Sequence, residues 1–353
     1  MNAPMVHTPV IREADLADRG EAEAIEAFVA ANEGEVFHRP LWLQAIAHGT
    51  GNSARGLIAE RGGRLAGWLP LSDVHSPLFG RALVSSGFGV GGGVLAARDD
   101  DARRLCRAAE ELAARLSAAS VELRGGSAPA DWTTISGKHA NFAAELAADD
   151  EAQLLAIPRK ARAEVRKGLK HDLTVTTGTA ETERAAHYAV YAQSVRNLGT
   201  PVFPRTLFDA VLDRFGDDAD ILTVRQGELP VASVLSLYHR GTVMPFWGGG
   251  TWSARGLRAN ERMYYELMTH ARRRGCTRFD FGRSKTGSGP YAFKKNWGFT
   301  PAPLTYYEWS PPGTAPRNID PTDAGYSAKI ALWKRLPLPV ANRLGPWIAR
   351  GLG

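Results

Sequence analysis

Apolar and polar residues alternate with a period of two in "LIAERGGRLAGWLPL" from Leu57 and again in "LTVRQGELPVASVLSL" from Leu222. Each run is broken by a short glycine-containing turn. Period two sends successive side chains to opposite faces, so both runs predict β-hairpins. Elsewhere the period lengthens to three and four. Leu105, Leu112 and Leu116 form one helical stripe, and Met263, Leu267 and Ala271 form another that Tyr264 and Met268 widen. Arg272, Arg273 and Arg274 close the second helix, where cations suit the dipole, and Gly275 follows as its stop. A short strand from Arg278 to Phe281 comes next. Over Ile157–Lys170, Ala161, Val165 and Leu169 recur every four residues, so this segment predicts a helix with one apolar stripe and six basic residues against one acid.

The patterns occur twice in the same order. "VFHRPLWLQAI" from Val36 returns as "VFPRTLFDAVL" from Val202; "GGGVLAAR" from Gly91 returns as "GGGTWSAR" from Gly248; "VELRGG" from Val121 falls on "RFDFGR" from Arg278 at that same offset. Each copy reads helix, helix, hairpin, a further strand ending in glycines, helix, strand. The fold class expected is α/β, an α+β mixed sheet with a crossover helix before the last strand, in two tandem copies packed together. The division is expected near Asp149–Glu151, giving domains 1–150 and 151–310, and a proline-rich, amphipathic tail 311–353.

Composition adds boundaries. The chain has 353 residues, 44% hydrophobic and 23% charged, which is globular rather than disordered. A net charge of +6 favours an anionic partner: nucleic acid, a phosphorylated small molecule or an anionic membrane surface. Cys106 and Cys276 lack metal-ligand spacing and suit a reducing compartment. The N-terminus shows no apolar core of signal-peptide length and no run approaches a membrane span, so a cytoplasmic, soluble protein is expected. The histidines show no H-x-x-x-H or H-E-x-x-H spacing, so no metal site is expected. Ser85 and Ser86 precede a glycine without a G-x-S-x-G elbow, which argues against a serine hydrolase. "GRSKTGSG" (Gly282–Gly289) has phosphate-loop composition but not its spacing, which argues against nucleotide hydrolysis.

The order hairpin, strand, helix, strand resembles the GNAT acyltransferase fold, and its duplication resembles the Fem peptidyltransferases. "IPRKARAEVRKGLK" (Ile157–Lys170), "RNLGTPVFPRTLF" (Arg196–Phe208), "FDFGRSKTGSGPYAFKKNWGF" (Phe279–Phe299) and "LWKRLPLPVANRLGP" (Leu332–Pro346) resemble FemAB-related proteins found with exosortase (PEP-CTERM) and exopolysaccharide gene sets. The resemblance covers nearly the whole chain. It implies two GNAT-like acyltransferase domains and transfer of an activated acyl or aminoacyl group to an amine in envelope or exopolysaccharide biosynthesis. It also implies that a Phe-Lys pair before a "GF" element, here Phe293 and Lys294, lies at the transfer site. Lys295 is an addition to that pattern, and the coiled-coil arm of the cell-wall enzymes has no counterpart here. The R/Q-x-x-G-x-G/A pyrophosphate motif of acyl-CoA enzymes also fails at "RGLRAN", where Ser253 and Arg258 occupy its key positions.

The chemistry expected follows from these residues. Acyl transfer builds negative charge on a carbonyl oxygen, which Lys294, or Lys295 in its place, would stabilise. The bland alternative is an amphipathic helix whose lysines face water. Asp280, opposed to Phe279 and Phe281 by alternation, would take the proton of the attacking amine, or simply form a salt bridge to Arg283. Tyr291, Phe293 and Trp297 would shape the pocket. Arg283 and Lys285 would contact substrate from the glycine-rich loop. Arg159, Arg162 and Arg166 would hold an anionic acceptor or tRNA, unless their helix is a solvated face. No tightly bound cofactor is expected; the donor is aminoacyl-tRNA or an acyl thioester, and DNA is not expected as a partner. The first copy lacks a Phe-Lys-Lys counterpart and is expected to bind acceptor only. Alternatives are an acyl-CoA or acyl-carrier-dependent small-molecule N-acyltransferase and a non-catalytic protein that binds an envelope precursor. In the tail, Trp333, Leu336, Leu338, Leu344 and Trp347 alternate with Lys334, Arg335, Arg343 and Arg350, and Pro337, Pro339 and Pro346 are expected to break any long helix. This tail either docks on the protein's own surface or makes peripheral membrane contact.

Overall fold

The computed structural model describes residues 8–314, 317 and 324–353, and both expected hairpins are present. The chain divides into two units. One takes Met1–Ser136, Thr305–Asp320 and Ile348–Gly353; the other takes Gly137–Leu304 and Pro321–Trp347.

In the first unit, helices Arg19–Ala31 and Pro40–Thr50 precede the hairpin Leu57–Arg61 with Arg64–Leu69, which Val10–Glu13 and Leu95–Ala96 flank in a four-stranded sheet. In a second sheet, Gly80–Ser85 and Ser120–Arg124 run parallel, joined by the crossover helix Asp99–Arg115. That helix buries Leu105 and Leu112, and it opens with Asp99, Asp100 and Asp101 where the dipole favours anions. Gly93, in the repeated glycine triplet, is required by close approach: a Cβ there would lie 2.0 Å from the Gly125 carbonyl oxygen.

The second unit places Thr174–Gly178, Ala219–Gln226, Leu229–His239, Thr242–Gly250, Arg278–Asp280 and the later part of Thr133–Glu145 side by side. All these pairs are antiparallel except Thr242–Gly250 with Arg278–Asp280, which helix Ala259–Arg273 connects as the expected crossover. Met263, Leu267, Met268 and Ala271 point from that helix into a core shared with Phe279, Phe281, Trp297 and Phe299. At its far end the buried Asp220 accepts hydrogen bonds from Tyr238, His270 and Arg274, tying the helix to the sheet.

Two strands depart from the sequence reading and move the expected domain limits. Thr133–Glu145 was not anticipated, because Gly137 interrupts it and only Ala140 and Phe142 are buried along it. Its end pairs with Arg278–Asp280, so the units divide at Ser136 and Gly137 rather than near Asp149–Glu151. Pro301–Trp309 likewise sends Tyr306–Trp309 back to pair with Ser120–Arg124 in the first unit. A hydrophobic pattern reports which face of a strand is buried, not which sheet receives it.

The tail folds as helices Ala324–Arg335 and Leu338–Ala349. Pro337 separates them as expected. Pro339 sits in the first turn, where its missing N–H removes no helical bond. Pro346 lies inside the second helix, which runs only 12 residues, so no long helix forms, as expected. Only a single i→i−4 bond is lost there.

Candidate active site in the second copy

The parallel strands Thr242–Gly250 and Arg278–Asp280 are paired only at Thr242 with Arg278 and Val243 with Phe279. Beyond these two positions no pairing joins them, and the longer strand is irregular there. Pro245 offers no N–H, and the register against Leu229–His239 slips so that Leu235 faces Trp247 while Ser236 faces Pro245, leaving Phe246 as a bulge. After Trp247 the strand continues as three glycines. A Cβ at Gly248 would come within 2.9 Å of Val234, and at Gly249 within 2.3 Å of Ser194.

Asp280 is the first residue of the short strand beyond the last paired position. It is half-buried, while Phe279 and Phe281 on the opposite face are buried. One carboxylate oxygen accepts the Gly282 backbone N–H at 2.8 Å and the other accepts Asn141 Nδ2 at 3.1 Å. Both oxygens are thus oriented. Burial raises the carboxyl pKa above its ordinary value; the two hydrogen bonds and the nearby charges of Arg278 and Lys294 oppose that shift without cancelling it.

Lys294 stands on the helix Gly289–Asn296, which Ser288 caps by accepting the Tyr291 N–H and which ends at Gly298 with φ +90°. The side chain is 8% exposed, so the water-facing reading fails for this lysine. Its Nζ donates to the carbonyl oxygens of Phe281 (2.6 Å), Gly282 (2.9 Å) and Arg283 (3.1 Å). An ammonium has three N–H bonds, and all three are used to gather the loop that leaves Asp280. The ring of Phe142 lies 5.5 Å away and that of Phe281 5.8 Å away. Burial lowers the Lys294 pKa to about 8, partly offset by Asp280, and Arg283 lowers it further. We expect the Lys294 side chain, followed by the 13Cε shift in lysine-labelled protein and assigned with K294R, to titrate near pH 8; a midpoint above 10 would contradict this environment. The folded chain then releases this proton before the unfolded chain does. Between about pH 8 and 10.5 the unfolded state therefore binds more protons, and this group's contribution to stability rises with pH across that window.

The aromatics around the lysine helix form a packed cluster. Trp297 is buried, 6.0 Å from Phe281 and 5.7 Å from Phe293, and Phe281 meets Phe299 edge-on at 4.7 Å. Phe293 and Tyr291 are half-buried, Tyr291 edge-on against Phe142 at 5.1 Å. Trp297 therefore holds the helix in place from below, while Phe293 and Tyr291 keep surface toward solvent. Lys295 is exposed. Arg283 and Lys285 are half-buried in a loop anchored by Ser284 and Lys285 pairing with Ala140 and His139.

Arg159, Arg162 and Arg166 lie along one side of helix Arg159–Lys170 with Lys167 and Lys170, lining a shallow groove of about 330 Å³. Arg162 donates to the Leu155 carbonyl, and Lys167 and Arg258 pair with Glu164 at 2.7 and 2.5 Å. Among the described residues Arg159, Arg166 and Lys170 have no ion-pair partner. Pro158, just before this helix, packs against Gly298, where a Cβ would lie 3.1 Å away, so the basic helix begins beside the end of the lysine helix. Arg255 stacks on exposed Trp252, 4.6 Å from the ring.

The sequence reading missed Asn141 and Phe142, which orient Asp280 and flank Lys294. Both come from the unanticipated strand. Its one local signal was Phe142 amid polar residues.

Comparison with known proteins agrees with this architecture. Residues 158–295 match the acetyltransferase (GNAT) domain family. No curated protein matches the chain. Among solved structures, FemX is similar at 16% identity and TM-score 0.61, over 80% of this chain and 95% of that one. A tandem GNAT protein from the clavulanic acid biosynthesis pathway is similar at 11% identity and TM-score 0.57, over 88% and 100%. L-PGS from Bacillus licheniformis is similar at 12% identity and TM-score 0.53, over 94% and 98%. At these identities the likeness bears on the fold. The chain is a tandem GNAT-fold protein, and its second copy carries an acyltransferase domain.

Proposed function

We propose that the second copy forms an amide by transferring an acyl or aminoacyl group from an activated ester or thioester to an amine. The observation that carries this reading is Asp280: an oriented, partly desolvated carboxylate at the point where the pairing of two parallel strands ends. The amine nitrogen attacks the acyl carbon, the N–C bond forms and the C–O or C–S bond breaks. The proton leaving nitrogen goes to Asp280, which hands it on to the departing alkoxide or thiolate and so returns to the carboxylate. A carboxylate whose pKa is raised by burial is a stronger base for that step.

In this reading Lys294 is a positioning residue. With three donors engaged by backbone, it fixes the loop 281–283 against Asp280, in place of the oxyanion role expected from sequence. Phe293 and Tyr291 border the acyl group, with Arg283 and Lys285 on the adjoining loop and Lys295 at the surface. Arg159, Arg162 and Arg166 receive the anionic part of the donor or acceptor. The first copy supports a binding role only, because the position matching Asp280 in the repeat is Leu123, fully buried. An amine-bearing envelope or exopolysaccharide precursor fits the family resemblance as acceptor, with aminoacyl-tRNA or an acyl thioester as donor.

The test offers the purified full chain acetyl-coenzyme A and alanyl-tRNA separately, with a panel of amino sugars and amino acids, and follows amide product by mass spectrometry. One donor class should give amide above the uncatalysed rate. Product from neither donor with any amine in the panel would overturn the proposal in this form.

A further inference from the structure

The second tail helix is built inside out. Ala341 and Gly345, four residues apart, are buried, and Gly345 sits so close to Val202 that a Cβ would lie 2.9 Å from its side chain. Val340, Leu344 and Trp347, at positions i, i+4 and i+7 of the same helix, are 42%, 45% and 48% exposed. A helix docked only on its own protein buries its large apolar residues and presents polar ones. Here small residues face inward, and three of the large ones face water. Leu332 on the preceding helix is 66% exposed as well.

Charge narrows the occupant. From Ala324 to Gly353 the sequence contains no aspartate or glutamate, while Lys329, Lys334, Arg335, Arg343 and Arg350 are all cationic. Lys334, Arg335 and Arg343 are exposed, Arg343 on the same helix as the apolar positions and Lys334 and Arg335 at the end of the preceding one. No helix among the described residues is long and apolar enough to cross a membrane. Exposed leucine, valine and tryptophan bordered by cations with no acid is the composition of a helix lying in the headgroup region of an anionic bilayer, where tryptophan and long basic side chains each find both apolar and polar surroundings.

We propose that the face formed by Val340, Leu344 and Trp347, with Lys334, Arg335 and Arg343, docks the enzyme reversibly on an anionic membrane surface. The occupant is a lipid bilayer rather than a second copy, because a second copy would bring the same cations against themselves. The proposal is independent of the chemistry at Asp280.

Co-sedimentation of the full chain with vesicles tests it. Vesicles of phosphatidylcholine containing roughly one third phosphatidylglycerol should bind the chain at least about tenfold more tightly than phosphatidylcholine alone, and added salt should weaken that binding. The triple variant Lys334→Gln, Arg335→Gln, Arg343→Gln should lose about a hundredfold in affinity. The double variant Leu344→Glu, Trp347→Glu should lose at least about tenfold. Both sets of positions are exposed, and unchanged thermal unfolding would confirm that each variant is folded. Absence of binding to the anionic vesicles, or equal binding by the intact chain and both variants, would overturn the proposal. So would an intact chain that dimerises without binding vesicles and becomes monomeric in the variants.

Discussion

Replacing Lys294 by methionine is expected to destabilise the second unit by about 2–4 kcal/mol. The loss comes from the loop rather than the helix. The carbonyl oxygens of Phe281, Gly282 and Arg283 all accept from one Nζ, and methionine fills the space without offering a donor. Each buried carbonyl left unpaired costs about 1–3 kcal/mol, and relief of the lysine's own desolvation returns part of that sum. A midpoint lower by roughly 5–15 °C follows for a unit of this size. K294R keeps the charge and several donors but demands more room in a buried site, so it should lie between the two. Differential scanning calorimetry of the three proteins checks the order. A methionine variant as stable as the parent would mean that the loop does not depend on this ammonium. K295M, on the exposed neighbour, is the control and should leave the midpoint unchanged within about 0.5 kcal/mol.

The second large effect is expected at Asp280. Asparagine there keeps the size and can still accept the Gly282 N–H through its own oxygen, while the Asn141 amide turns to offer its oxygen to the new NH2 group. The fold should therefore survive D280N with little change in stability. What disappears is the proton acceptor, and removal of a general base lowers the transfer rate by about 10²–10⁴-fold. The pH profile gives an independent check. Because burial raises this carboxyl pKa, the acid limb of kcat/KM should fall off at higher pH than for an ordinary aspartate, and it should vanish from the residual activity of D280N. A D280N variant that melts far below the parent would instead assign Asp280 a structural role.

Much of this arrangement was legible in the residues, and the exceptions share a cause. The hairpins and the crossover helix announce themselves because one face of each is buried against a local neighbour. The repeat placed Asp280 and Lys294 in the later copy. The strand Thr133–Glu145 escaped because its partners, Arg278–Asp280 and Ser284–Lys285, lie more than a hundred residues further on and its own pattern is broken at Gly137. With it went Asn141 and Phe142. The positioning role proposed for the Lys294 ammonium was equally hidden. A lysine beside aromatics is compatible with binding an oxyanion or with gathering carbonyl groups, and only the positions of the three backbone oxygens distinguish these. Trp297 looked like a pocket wall for the same reason, since sequence shows that a side chain is apolar but not whether its neighbour is substrate or Phe281.

The proposed site stands or falls with amide formation at Asp280 in the second copy. Single-turnover amide formation by the intact chain and by D280N, with the donor that the intact chain accepts and thermal unfolding recorded on the same samples, tests it most directly. The D280N rate should fall by about a hundredfold or more at an unchanged unfolding midpoint; equal rates in the two proteins would rule out Asp280 as the base.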